Sequence, residues 1–128
     1  LAAMRQMGDT IENCTITETV EVLEALTGKI FLALEEDTAR LGRTRKFLNY
    51  YLPTTVNLLR RYRALEQQKA AGDNIAATMH SIEGMLEKVH LAFEKQLDNL
   101  YEAEAMDITA DIQVMQQVMA AEGLLENQ

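Results

Sequence analysis

The chain is poor in the residues that punctuate sheet proteins. Six glycines and one proline in 128 residues leave few turn signals, so a meander of short strands is excluded and long helices are favoured. A single cysteine, Cys14, cannot close an internal disulfide, which fits a reducing compartment and a cytoplasmic location. No apolar run approaches the roughly 20 residues that span a bilayer, and the first residues lack the basic and apolar regions of a signal peptide. Any membrane association would therefore come from a segment that precedes this sequence. We expect a single helical domain over residues 1–128, the soluble part of a longer protein.

Motifs of catalysis are scarce as well. There is no glycine-rich phosphate loop, no Cys-x-x-Cys and no Gly-x-Ser-x-Gly elbow. Neither of the two histidines is paired with Cys14 by any cue in the sequence. The catalytic residues are unknown at this level, and no cofactor or metal is expected.

What is present is helical periodicity. Hydrophobic residues make up 48% of the chain, enough for a packed core. Met4, Met7 and Ile11 share one face of a short first helix that breaks at Asn13. Thr15-Ile16-Thr17-Glu18 reads as a capping box, in which hydroxyl and carboxylate satisfy the free N–H groups of a helix start. Ile16, Val20, Leu23, Thr27, Ile30 and Leu34 then keep the alternating four-three spacing of a heptad seam, the pattern of coiled-coil-like packing. Glu35 to Thr38 interrupts this helix.

A third helix is expected over about Ala39 to Tyr51. Pro53 has no N–H and disfavours a helical residue before it, so a break near Leu52 and a corner near Pro53 follow. Helix four, starting at the proline, carries Val56, Leu59, Tyr62 and Leu65 inward. Lys69 to Asn74, centred on Gly72, forms a hairpin with Asp73 or Asn74 as cap. A long helix from about Ile75 to Glu104 aligns Ile75, Met79, Ile82, Leu86, Val89, Phe93, Leu97 and Leu100 on one face. Asp107 caps a final helix with a seam of Ile108, Ile112, Met115 and Met119, and Gly123 ends it. The fold class is all-α, an elongated bundle of five or six helices with corners near Pro53 and Gly72. The seams can be satisfied within one chain or between copies, which leaves homo-oligomerisation open.

Charge is unevenly spread. The formal net charge is −8, yet seven of the twelve basic residues lie between Arg40 and Arg63, a stretch without a single acid. Guanidinium groups suit bidentate oxyanion contacts, so Arg43, Lys46, Arg60 and Arg61 are the candidate anion-binding residues, with pairing to the acidic remainder as the plainer alternative. Nucleic acid is not expected as a partner, because the remaining surface is strongly negative and aromatics do not interleave with these cations in the way that stacking readers require.

Other clusters invite a ligand but have simpler readings. His80, Glu83, Glu87 and His90 lie on one side of a helix, but Glu87-x-x-His90 lacks the second such motif that a dimetal site needs. Asp98, Glu102, Glu104, Asp107 and Asp111 could hold a hard cation or face the basic segment. Met79, Met85, Met106, Met115 and Met119 suit either core filling or an adaptable groove.

The run Lys46-Phe47-Leu48-Asn49-Tyr50-Tyr51-Leu52-Pro53-Thr54-Thr55, followed by Leu58, Leu59 and Tyr62, resembles the central signature of the XpaC-like family. Leu97-Asp98-Asn99-Leu100, Asp107-Ile108 through Asp111-Ile112 to Met115, and Glu122-Gly123-Leu124 resemble its C-terminal pattern. The resemblance implies a bacterial helical protein, often with an N-terminal hydrophobic region, frequently encoded beside a toxic-anion (tellurite) resistance protein of the TelA type. The family is named for hydrolysis of 5-bromo-4-chloroindolyl phosphate, but the resemblance supplies no agreed catalytic residues. It implies either a non-catalytic accessory module acting with a TelA-like partner in toxic-anion or envelope stress, or a phosphatase.

Overall fold

The structure, a computed structural model, describes residues 2–68 and 72–125. Among them there is no strand. Helix α1 spans Ala2–Thr10 and α2 Cys14–Glu36. A 3-10 turn over Thr38–Arg40 leads into α3, Leu41–Lys46, and a π-helical turn, Phe47–Tyr51, joins α3 to α4, Leu52–Gln68. Helix α5 runs over Asp73–Leu100 and α6 over Glu102–Ala121. Because α3, the π turn and α4 follow without a gap, the six α segments make five rods. The all-α expectation holds.

Periodicity located the core well. Met4, Met7 and Ile11 are buried, as are Ile16, Val20, Leu23, Thr27 and Ile30 of the α2 seam and Ile82, Leu86, Val89, Phe93 and Leu100 of α5. Helix α2 packs along α5, with α1 laid across α2 and α4 and with α4 against α5. Each fully buried Leu or Phe in such a core contributes about 1.5–3 kcal/mol. Thr27 is tolerated at its seam position because its hydroxyl donates to the Leu23 carbonyl at 2.7 Å. Gly8 allows the close crossing of α1 and α2. A Cβ there would stand 3.1 Å from Val20 Cγ1.

Four boundaries differ from expectation. The cap of α2 is Asn13, whose side-chain oxygen accepts from the N–H groups of Thr15 and Ile16. Thr15 is already inside the helix, so the expected Thr15–Glu18 box does not form. Asparagine is the stronger cap and stands two residues earlier.

The corner near Pro53 is also absent. Leu52 is helical, with φ −66° and ψ −52°, and the chain passes through the proline without a break. The π turn explains this. Leu52 N–H bonds back to the Phe47 carbonyl, five residues away, in the turn just before the N–H that proline lacks. The wider turn also takes up one extra residue, which keeps Thr44 and Phe47 in line with Thr55, Leu59 and Tyr62 on the buried side.

At the other expected corner, Gly72 is extended and stands at the cap of α5, while Asp73 is its first helical residue. Lys69, Ala70 and Ala71 lie outside the described residues. Tyr62 and Glu83 meet from opposite sides of this corner, the hairpin arrangement expected. Helix α5 ends at Leu100, earlier than Glu104, and Tyr101 alone separates it from α6. Asp107 is therefore an interior residue of α6 rather than its cap. Gly123 does end α6, with φ +72° and Leu124 N–H bonded to the Met119 carbonyl at 2.8 Å.

Candidate functional site

Charged groups converge where the end of α2, the 3-10 turn and the α5–α6 junction meet. Asp37 caps the 3-10 turn through its bond from Ala39 N–H, 3.0 Å, and this places Arg40 against the junction. The Arg40 side chain is only 11% exposed. Its Nη1 donates to the Ala33 carbonyl at 2.8 Å and to Glu36 Oε2 at 3.4 Å, and its Nη2 to Glu104 Oε2 at 3.4 Å. The guanidinium lies 4.5 Å above the Tyr101 ring, and the Tyr101 hydroxyl donates to Glu36 at 3.3 Å. One arginine thus ties α2 to the first turn of α6 through ion pairs and a cation–π contact.

Beside it opens a cleft of about 480 Å³, lined by Glu36, Asp37, Arg40, Arg43, Glu104 and Asp107 among others. Four carboxylates face two guanidinium groups, and Arg40 is already paired. The cleft is therefore electronegative on balance and unsuited to a free phosphate.

The four candidate anion residues do not meet. Arg43 lines this cleft and a smaller one of about 250 Å³ with Gln96, Asn99 and Glu102. Lys46 follows one turn later on the exposed side, whereas Arg60 and Arg61 sit exposed on α4. With no corner at Pro53, helix rise alone puts Lys46 and Arg60 roughly 20 Å apart, too far to grip one anion together. Among the described residues none of the four is in an ion pair. Among the described residues, the plainer alternative, pairing with the acidic remainder, is realised within the Arg40–Arg63 stretch by Arg40 alone.

The signature residues divide by exposure. Phe47 is buried and packs edge-on against Phe93, ring centroids 4.7 Å apart. Leu52 and Thr54 are half-buried, while Asn49, Tyr50, Tyr51 and Pro53 are exposed. Tyr50 and Tyr51 form their own edge-on pair at 5.4 Å.

A second polar cluster pins the opposite side of the bundle. The Tyr62 hydroxyl donates to Glu83 Oε2 at 2.6 Å and accepts from Asn13 Nδ2 at 3.1 Å. Glu66 accepts the N–H groups of Glu12 and Asn13 at 2.7 and 3.1 Å. Burial, reinforced by the bond to Glu83, pushes the Tyr62 phenol up to about 12. Glu83 is thus committed to Tyr62, and His90 to Glu94 through an i,i+4 pair. His80, Glu83, Glu87 and His90 do not converge. Asp98, Glu102, Glu104, Asp107 and Asp111 are all exposed, and no three His, Cys, Asp or Glu side chains among the described residues gather as a metal cage.

Helix α6 stands apart from both clusters. None of its residues is buried. Met106 is 67% exposed, Met115 65% and Ile112 52%, so most of the expected seam is left uncovered among the described residues. Of the five C-terminal methionines only Met79 and Met119 are half-buried; core filling does not account for the others. No helix of the described residues is long and apolar enough to cross a membrane.

Sequence reading missed Arg40 and Tyr101 as partners, since nothing local joins residues so far apart. It also missed Asn13, although an asparagine at a helix break is a capping signal.

Taken together, these features define an all-helical bundle with a paired charged junction and an uncovered terminal helix. The family model described as 5-bromo-4-chloroindolyl phosphate hydrolysis protein matches residues 1–115, and the chain belongs to that family. This agrees with the XpaC-like signature. No curated protein and no solved structure matches the chain.

Proposed function

We propose that the chain is a non-catalytic interaction or accessory module. The observation that carries this reading is α6, which displays Met106, Ile108, Ile112, Val114, Met115 and Val118 to solvent, each more than half exposed. Apolar side chains exposed in this number on one helix mark an interaction surface more often than a catalytic one. The XpaC-like resemblance supplies the partner to test first, a TelA-like toxic-anion resistance protein, with a role in tellurite or envelope stress. Titration of that purified protein into the chain, followed by calorimetry, should give saturable binding that Ile112→Glu weakens at least about tenfold. Absence of heat and of co-elution at concentrations near 100 µM would remove this partner.

Phosphomonoester hydrolysis is the second reading, favoured by the family's description and by the exposed cations Arg43, Lys46, Arg60 and Arg61, which make no ion pair among the described residues. Purified protein assayed on 5-bromo-4-chloroindolyl phosphate, with and without divalent metals, decides between them. Turnover abolished by Arg60→Ala or Arg61→Ala overturns the non-catalytic reading, and no turnover under any metal removes the hydrolase.

A further inference from the structure

We infer that α6 docks on the outer face of α3 and α4 of a second copy of the chain, each copy giving its α6 to the other. The inference rests on the interaction-module reading and names an occupant for the bare helix. Two surfaces left largely uncovered among the described residues carry it, and they complement one another. Helix α6 contains four acids, Glu102, Glu104, Asp107 and Asp111, of which Glu104 already pairs with Arg40, and no cation. The α3–α4 rod contains no acid between Arg40 and Arg63, and it exposes Arg45, Lys46, Arg60 and Arg61 with the Tyr50–Tyr51 pair between them.

Their dimensions also correspond. The twenty residues of α6 make a rod about 30 Å long, and Arg43 to Arg61 spans a similar length. Apolar groups are present on both, with Ile112, Met115 and Val118 on α6 and Tyr50, Tyr51 and Leu41 on the rod, all at least 45% exposed. Helix α6 does not cover its own α3–α4 rod, because its main neighbour is the end of α5. The break at Tyr101 that directs it is held by Arg40.

A reciprocal exchange is the closed, twofold solution for two such surfaces, since each contact is made twice. It covers one face of each of two rods on both copies, on the order of 1,200 Å² in total, which reaches the size of a specific interface. An anionic bilayer would be repelled by the acids of α6. Direct α6–α6 pairing would leave the cationic face bare.

Sedimentation of the 128-residue chain tests the inference. At roughly 100 µM and low salt the wild type should run as a dimer, and added salt should weaken it. Both Ile112→Glu/Met115→Glu and Arg60→Glu/Arg61→Glu should raise the dissociation constant at least about tenfold. Mixing Arg60→Glu/Arg61→Glu with Asp107→Lys/Asp111→Lys should give a heterodimer stronger than either variant's self-association. Circular dichroism melts confirm that each variant is folded. A wild type that is monomeric under these conditions overturns the inference, and if it still binds another protein the module reading stands. A dimer that the α6 variant breaks and the Arg60/Arg61 variant leaves intact also overturns it, in favour of α6–α6 pairing.

Discussion

Helices α5 and α6 are separated by one residue and are both rich in apolar side chains, yet one builds the core and the other touches almost nothing. In α5 the buried residues Ile82, Leu86, Val89, Phe93 and Leu100 form a single stripe, opposed by α2 and α4, and only Met85 and Leu91 among its large apolar residues are left exposed. In α6 they are spread over a wider arc, with Ile108, Ile112 and Met115 on one side and Val114 and Val118 on another. The difference teaches that apolar content makes a helix adhesive, while burial requires a surface of matching shape within reach. Inside one copy, α5 has that surface and α6 does not.

Substitutions at equivalent chemistry should break the two helices apart. The largest effect is expected at Leu86, which is fully buried in α5: Leu86→Ala should lower unfolding free energy by about 2–5 kcal/mol in urea titration. Arg40→Ala removes the tie between the body and the start of α6. It should cost roughly 1–2 kcal/mol and speed hydrogen exchange of the first α6 amides, with little change in α5.

Tyr62→Phe should cost about 1 kcal/mol near neutral pH, from the lost bonds to Glu83 and Asn13. Its pH dependence gives a second reading. The phenol is held at about 12 in the folded chain against 10.0 unfolded, so its protonated form is favoured by folding. The stabilisation is complete below pH 10 and is lost as pH rises from 10 toward 12. Wild type should therefore lose stability more steeply than Tyr62→Phe in this window, measured as the urea midpoint.

At dilutions where the chain is monomeric, Ile112→Gln in α6 should change the unfolding midpoint of the body by less than about 0.5 kcal/mol. A loss as large as that of Leu86→Ala would show that α6 is buried in solution and would erase the comparison.

The candidate site was only partly legible beforehand. Its cations were visible as a charge block, but their grouping on one anion depended on a corner at Pro53. A proline usually ends a helix because it removes one hydrogen bond and crowds the preceding turn. Here the Phe47–Tyr51 π turn re-routes the bonds immediately before it, and the helix continues. Nothing in Phe-Leu-Asn-Tyr-Tyr announces that turn locally. Its benefit is to keep Phe47 on Phe93 while Leu59 and Tyr62 stay buried, a tertiary matter.

The sequence by itself determined the helical class, the buried stripes of α1, α2 and α5 and the stop at Gly123, because three-and-four spacing and backbone chirality are local properties of the chain. The tertiary structure decided the continuity through Pro53, the polar cluster of Asn13, Tyr62 and Glu83, and the bend at Tyr101 under Arg40. It also decided that α6 stays uncovered. Periodicity states which side of a helix is apolar, but what meets that side depends on residues distant in the chain, whose contacts form only once the rods are packed.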